Sequence, residues 1–526
     1  MKRRQEAGQS LVLVALVMVV LIGFLGFAID FGYYRFLRRQ LQTAADAAAI
    51  AGAMDFTYGD YSVAGQAASA ENGFTNGGGI TVTMSKPPTT GPYAGAAGNY
   101  VQATVTDTAV PTFFSNIFGA TAPHLSATAV AEGGINCLYG LDTAANSPFT
   151  LTVSAVDLQC GVVSNNTFVL NGGELCAPSI QSVNWPAGTT TCLVGTSALP
   201  VKIPSTVTDP FCPASGCVMP QPSPAALPAK GTCSAGTYSV PPKPAATVIT
   251  QANTYGANYC GITITSSGTT ANPVKFSPGN FYGPITISNS VVTFQAGSYA
   301  INSPTKPGIT LSSSIFGNSQ LNFQSGSYTI AGGIQDNNFS FFGSYIDFNS
   351  TPGSTQSLII LDGGGLNLGF TAAKSTGGVT IFNTGTSSCA ATSYTCYGQI
   401  ISTFSFSGTF CGAKCTLNPS TSGLYPGILF YQDRTYTYSA SCPFGGSGVA
   451  CFGVNINVNP GTVAHNGTYY FPSNTVNFDF DFGAGTTWNY LIAKDVKWFV
   501  GFTFNSNVAA VPTTFPLRQG SAALVQ

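Results

Sequence analysis

The sequence predicts a mainly β chain led by one membrane-crossing helix, and three observations predict it. No charged residue occurs from Leu11 to Ile29. Charged residues make up only 7% of the 526 positions, whereas aromatics reach 12% and glycines number 61. Few charges, many turn formers and many β-branched or aromatic residues favour extensive sheet. Between residues 274 and 333 a strand, a small-Gly-x-aromatic turn and a second strand recur three times.

The helix comes first in the chain. At 1.5 Å of rise per residue, the stretch from Leu11 to Ile29 covers about 28 Å, close to the hydrocarbon thickness of a bilayer. A secretory signal has an apolar region of about 7–15 residues with a small-residue cleavage site close behind. Here Asp30, Tyr33, Tyr34, Arg35, Arg38 and Arg39 follow, and the first A-x-A sites wait in "ADAAAIAGA". The sequence therefore predicts a retained anchor, a single pass in an inner membrane, rather than a long signal peptide, and its first partner is the lipid bilayer. Lys2, Arg3 and Arg4 on one flank nearly balance the three later arginines, so charge alone does not orient the span. Cysteines do. All fourteen fall between Cys137 and Cys451, an even set that reads as disulfides in an oxidising compartment. The body is thus expected in the periplasm or at the cell surface.

No breaker interrupts the chain between Asp30 and Ile50, and Gly32 is the one weak point. One helix of about 45 residues would extend roughly 65 Å. Beyond the span, Leu37, Leu41, Ala44, Ala48 and Gly52 form a stripe on one face, with small residues that allow close backbone approach. Two partners fit this stripe equally well from sequence: the protein's own next domain, or other subunits.

The segment "GQSLVLVALVMVVLIGFLGFAIDFGYYRFLRRQLQTAADAAAIAGA" resembles the N-terminus of the TadE/TadG-like proteins of the Flp (Tad) pilus assembly system. Gly8, Asp30 and the block from Leu41 to Ala53 carry the resemblance. Patchier likeness continues in "CLYGLD" (137–142), "GILFYQDR" (427–434), "GTYYFPSNTV" (467–476) and "YLIAKDV" (490–496). The resemblance implies a role in pilus assembly and other pilus-assembly proteins as partners. A processed prepilin would carry Glu five residues after the cleavage glycine; this chain has Leu13 there, which favours an uncut anchor.

After the anchor and extended helix (1–55), residues 56–134 read as a small, pilin-like α/β unit. "YSVAGQAASAENGF" suits a helix, "ITVTMS", "YVQATVTDT" and "HLSATAVAE" alternate as strands, and "PTFFSNIFG" suits a short helix opened by proline. Residues 135–199 carry short strands, 200–250 form a Pro-rich loop or linker, and 506–526 form a tail. Between them, 251–505 holds the recurring phrase, with turns near residues 279, 297 and 326. Spacings of 18 and 29 residues suit one coil of a solenoid with a variable loop, so a large parallel β-helix-like domain is expected, with inward Val, Ile, Leu and Phe and with Asn or Ser columns at the turns. A β-sandwich of repeated hairpins is the alternative.

Composition and motifs argue against chemistry. Six of eighteen basic residues precede Gln40, and the twelve left (18 − 6) form no patch, which excludes nucleic acid as a partner. A polysaccharide-cleaving site would need clustered acids; "FDFDF" offers only Asp479 and Asp481, about 7 Å apart on one strand face, where a solvated pair is the simpler reading. His124 and His465 have no "GxSxG" beside them, and "GGGI" (77–80) and "DGGGL" (362–366) lack the ending of a phosphate loop. Close cysteines could hold zinc, but disulfide-closed loops are favoured: Cys212–Cys217, Cys389–Cys396, Cys411–Cys415 and Cys442–Cys451. No catalytic residue, metal or cofactor is expected. The leading expectation is a non-enzymatic envelope protein that assembles, anchors or decorates a pilus, with surface glycans as further candidate partners. The alternatives are a surface carbohydrate-active enzyme on a β-helix and a minor, pilin-like filament subunit packed by the Ala44 face.

Overall fold

The computed structural model describes residues 6–525, apart from intervals at 185–200, 230–236, 241–246, 252–259, 337–343, 385–399, 402–414, 436–454, 460–463, 480–486, 507–514 and 516–520 and a number of shorter ones. The chain divides into two compact units, Met1–Ile135 with Gln519–Gln526, and Asn136–Arg518.

In the first unit, α1 runs unbroken over Glu6–Met54. Gly32 does not interrupt it, because one glycine costs a helix only about 1 kcal/mol. A second helix, α2 (Tyr61–Glu71), starts at Asp60, whose carboxylate accepts the Ser62 and Val63 amides at 2.9 and 3.3 Å. Strands β1 (Ile80–Ser85), β2 (Tyr100–Asp107) and β3 (Leu125–Gly134) follow in antiparallel order, with Val82 opposite Val105 and Val105 opposite Ala127. The expected helix around residue 115 is a single 3-10 turn, Ser115–Phe118. The fourth strand comes from the far end of the chain: Ser521–Leu524 pairs antiparallel with β3, placing Leu524 opposite Ala131. Within the stretch expected as a C-terminal tail (506–526), Ser521–Leu524 is therefore a sheet strand. The edge of β3 needs partners for its N–H and C=O groups, and the C-terminus supplies them.

The core of this unit is small-sided. Leu41, Ala44, Ala45, Ala48, Ala49 and Ala53 of α1 pack on Val101, Ala103, Val105, Ala127, Ala129 and Ala131. Contact is close enough to demand glycine: a Cβ on Gly133 would lie 2.1 Å from the Ala53 carbonyl oxygen.

The second unit is built from parallel ladders. Every strand pairing described in it is parallel, which argues against a sandwich of hairpins, since hairpins are antiparallel. Cα partners run in register from one strand to the next: Tyr238, Ile262, Ile285, Ile309, Ile334 and Leu366 form one column. Tyr299, Tyr328, Ile359, Ile381, Phe430, Tyr469 and Leu491 form another. A third sheet of six short strands brings Phe276, Phe294 and Phe323 together, their rings stacked at centroid distances of 4.4 and 5.2 Å. Burying such rings in rows gives this unit its apolar interior. Turns between ladders are closed by side chains. Tyr299 and Tyr328 donate to the carbonyls of Gln295 (2.8 Å) and Gln324 (2.6 Å), and burial raises both phenols above their ordinary range. Ser290 and Ser319 are buried one rung apart, and their hydroxyls donate to Ser288 and Ser312 at 2.7 and 2.6 Å. This is the serine column expected at the turns.

Stacking order is not chain order. The strand Thr487–Phe499, near the end of the unit, pairs with Asn136–Gly140 and Phe149–Thr152 at its beginning. Gly161–Ser164 and Phe168–Asn171 then continue the ladders. Residues 136–182 therefore extend one end of the stack, whereas Tyr238–Val240 opens the other. The chain must travel back between them, and the Pro-rich stretch does this. Asn165 bonds Val207, Asp209 accepts from Tyr470, Gln221 donates to Asp433, the Ala225 amide donates to Thr329, and Asn302 donates to the Pro228 carbonyl. These partners follow one another in order along the stack. Within the stretch expected as a Pro-rich loop or linker at 200–250, the residues from Val207 to Pro228 thus run as a strap along one side of their own unit, and Tyr238–Val240 and Val248–Ile249 are ladder strands. Proline suits the strap, because an extended segment outside the ladders has few partners for N–H groups. The described strands within the β-rich segment expected at 135–199, from Asn136 to Ser182, belong to the ladders of this unit.

Candidate functional site

The long helix is the element on which the functional reading turns. Its first half is apolar on every side: Leu11, Leu16, Val19, Leu21, Ile22, Phe24 and Leu25 are all more than half exposed. Mean hydropathy in this part of the helix reaches 3.1, and it is long enough to cross a membrane. A helix hydrophobic all round and almost bare matches a bilayer as solvent. From Leu11 to Ile29, the one fully covered position is Gly26.

The second half is committed elsewhere. Leu37, Leu41, Ala44 and Ala48 are buried in the first unit's core, and Gly52 is buried with them. A Cβ on Gly52 would lie 2.9 Å from the Tyr61 carbonyl oxygen, so α1 and α2 meet backbone to backbone there. Between the two partners the sequence left open, the structure places the protein's own sheet and α2 on this stripe. A filament packed by the Ala44 face would require α1 to leave its sheet.

At the junction of the halves stands Asp30, with 1% of its surface exposed. Its carboxylate accepts the amides of Phe113 (3.1 Å), Phe114 (3.0 Å) and Ser115 (2.7 Å) and the Ser115 hydroxyl (2.7 Å). Tyr33 meets Phe113 edge to face at 5.3 Å. An ionised acid beside hydrocarbon is costly unless hydrogen bonds take the place of water. Here four donors from one loop do so, and they tie the loop to the helix. Sequence reasoning named Asp30 as a motif residue but found no role for it; a lone acid closing an apolar run was the available signal.

A second polar cluster holds the strap. Arg434 donates from Nε to the Tyr470 hydroxyl at 2.7 Å and from Nη1 to the Met219 carbonyl at 3.2 Å, and its guanidinium stacks over Tyr431 and Tyr470. The Tyr470 hydroxyl donates to Asp209 at 2.6 Å. Burial pushes the Asp209 carboxyl up, with the Tyr470 bond opposing it. Asp433 is pushed up by burial too, but bonds from Thr435 and Thr384 outweigh this and hold it below the ordinary range. Arg434 and Asp433 end the "GILFYQDR" segment and Tyr470 lies in "GTYYFPSNTV", so two stretches quoted for the resemblance meet at the strap.

The remaining sequence candidates do not assemble into a reactive centre among the described residues. His465 is fully buried beside Phe430 and Tyr469, not at the surface; burial pushes it down to about 3, and its Nδ1 lies 2.6 Å from the Tyr469 hydroxyl. His124 is exposed. Asp481 and the side chain of Asp479 lie outside the described residues, so the paired-acid reading does too. Gly77, Gly78 and Gly79 have positive φ (119°, 60° and 98°), as a turn requires. Cys212 and Cys217 are joined within the strap, and Cys137 is joined to Cys160, a pairing of adjacent rungs that spacing did not suggest. Cys415 is disulfide-bonded; Cys389, Cys396, Cys411, Cys442 and Cys451 lie outside the described residues. No group of metal-ligating side chains occurs among the described residues.

Comparison with known proteins gives two family matches. Residues 8–55 match the Flp pilus-assembly TadE/G-like family, and residues 38–131 match the Tad-like Flp pilus-assembly family. No curated protein and no solved structure matches the chain. The matches cover α1 and the three strands it packs on, and leave the second unit outside. They support involvement in Flp pilus assembly. Over residues 8–131, about a quarter of its length, the chain is similar to the TadE/G-like and Tad-like families of Flp pilus assembly.

Proposed function

We propose that the protein is a non-enzymatic, single-pass component of the bacterial inner membrane that holds a β-rich body outside the cytoplasm, where it contacts other pilus-assembly proteins and takes part in anchoring or adhesion. One observation carries this reading: α1 is bare and apolar over its first half, yet its second half is locked into the antiparallel sheet of its own chain. A helix divided in this way tethers a folded domain close to the bilayer. Disulfides at Cys137–Cys160 and Cys212–Cys217 support an oxidising side for the body. The in-register parallel ladders support a β-helix, in which stacked coils present a long, weakly charged, polar side suited to protein or glycan contact.

An in-frame deletion of residues 136–518 in the native host tests the reading. It removes the second unit and keeps the anchor, the sheet and the closing C-terminal strand. Loss of surface filaments or of adhesion, with the shortened protein still in the membrane fraction, is expected. Normal filament number together with normal adhesion overturns the reading. Protease added to intact spheroplasts should digest the second unit of the undeleted chain; full protection would place the body in the cytoplasm.

A further inference from the structure

The loop that Asp30 holds carries three apolar side chains that stay exposed even though Phe113 meets Tyr33 and Phe114 rests on α1: Phe113 (54% exposed), Phe114 (38%) and Ile117 (76%). They lie where the span ends. A Cβ on Gly26 would stand 2.8 Å from the Phe114 Cβ, so Phe114 rests on the helix inside the uncharged run. Gly26 precedes Ile29 by three residues, about 4.5 Å along the axis. The loop therefore reaches back past the apolar boundary of the helix rather than away from it.

We propose that the segment Pro111–Gly119 is a second membrane contact, an aromatic loop that enters the lipid interface beside α1 and fixes the first unit against the bilayer. The proposal rests on the reading of residues 11–29 as a membrane span. Lipid is the occupant the surroundings favour. The exposed side chains of the loop are continuous with an exposed apolar helix, and no polar side chain separates Phe114 from Gly26. Aromatic side chains concentrate at the depth where an apolar span ends, and an interfacial segment enters by roughly 5–10 Å. The Asp30 carboxylate explains how the loop can stay there. Three consecutive backbone amides, which hydrocarbon would leave unpaired, all donate to it. Gly26 is the matching feature on the helix, because any larger residue would push Phe114 away. A tether of one helix alone would let the domain swivel; a second contact removes that freedom.

The full-length chain reconstituted in phosphatidylcholine vesicles tests this, with a fraction of the lipid brominated near the head of its acyl chains and, in a parallel set, near their ends. Ile117→Trp places a reporter on an exposed position, Leu16→Trp one within the span and Val63→Trp one on the exposed face of α2, and the fluorescence of the chain's three native tryptophans is subtracted. Ile117→Trp should be quenched by the shallow bromines about twofold more than by the deep ones, as expected for a group at the interface. Val63→Trp should be unquenched. If Ile117→Trp behaves like Val63→Trp while Leu16→Trp is quenched, the loop proposal is overturned and the span stands. If Leu16→Trp is itself unquenched, the span reading falls and takes the loop with it. Adding Asp30→Ala to Ile117→Trp should release the loop and lower its quenching by about half, with Leu16→Trp unaffected by the same change. Undiminished quenching would show that Asp30 does not position the loop.

Discussion

The two units solve the same problem with opposite means. The first buries alanine and glycine, and its helix and sheet approach until backbone meets backbone: the Ala53 carbonyl lies where a Gly133 side chain would be. The second buries rings and branched chains, with Phe276, Phe294 and Phe323 stacked in one column and Tyr299 parallel to Tyr328 at 4.9 Å in another. A small-sided core is intolerant of addition. A large-sided one is intolerant of removal. The tether therefore draws its definition from steric fit, and the body from apolar bulk.

The largest effect should follow from removing bulk in the second unit. Phe294 is fully buried, stacked on one side by Phe276 and on the other by Phe323. Phe294→Ala should cost about 3–5 kcal/mol, the usual loss for a buried ring. Because stacked repeats share energy mainly with neighbours, the loss should be local. Hydrogen exchange of the full-length protein should speed up for peptides covering residues 274–330 and stay unchanged in β2 and β3. Equal acceleration in both units would break the comparison, since it would mean that they unfold as one.

Adding bulk is the complementary test. Gly133→Ala inserts one methyl group against the Ala53 carbonyl, which cannot rotate away as a side chain can. About 3 kcal/mol of destabilisation is expected from this overpacking. Exchange should rise in β3 and along α1 after Leu41, and the Phe276 to Phe323 column should be untouched. An unchanged β3 would mean that helix and sheet separate more easily than the packed geometry implies.

These two cores also differ in how much of them could be read beforehand. The Leu37, Leu41, Ala44, Ala48, Gly52 stripe is a local pattern, visible because side chains four apart share a helix face. The first three strands of the four-stranded small sheet alternate visibly, and their bounds were legible to within about two residues. What no local pattern showed was the closing strand at Ser521, because it joins β3 across almost the whole chain. The same limit applies to the second unit. Recurring turns near Gly297 and Gly326, which are Cα partners in the ladders, announced stacked parallel strands. They could not announce that residues 136–182 stack beyond Thr487, or that prolines between 207 and 228 run as a strap, since both are contacts between distant segments. In the candidate site the span and the motif acid were legible, but the amides that bind Asp30 come from a loop more than eighty residues away.

The smallest effect concerns charge rather than shape. Asp495 sits inside the second unit, where burial raises its carboxyl from 3.8 to about 7, against the Val496 amide and the charges of Lys497 and Lys494, with Asp142 adding to the rise. Its Oδ1 accepts that amide at 2.8 Å, and its Oδ2 has no partner among the described residues. The folded chain thus holds a proton that the unfolded chain releases near pH 4. Below pH 4 both states are protonated and the group contributes nothing; as pH rises from about 4 to 7 the unfolded state alone ionises, and stability falls. Asp495→Asn keeps the shape of the protonated acid and removes this loss. It should leave exchange in the strand Thr487–Phe499 unchanged at pH 4 and slow it at pH 8, by an amount of order 2 kcal/mol. The first unit, measured in the same experiment, should show no such difference between the two chains at either pH. A variant that is equally destabilised at both pH values would mean that Asp495 serves the ladder as an ionised hydrogen-bond acceptor, and charge would then join bulk among the things that hold the body together.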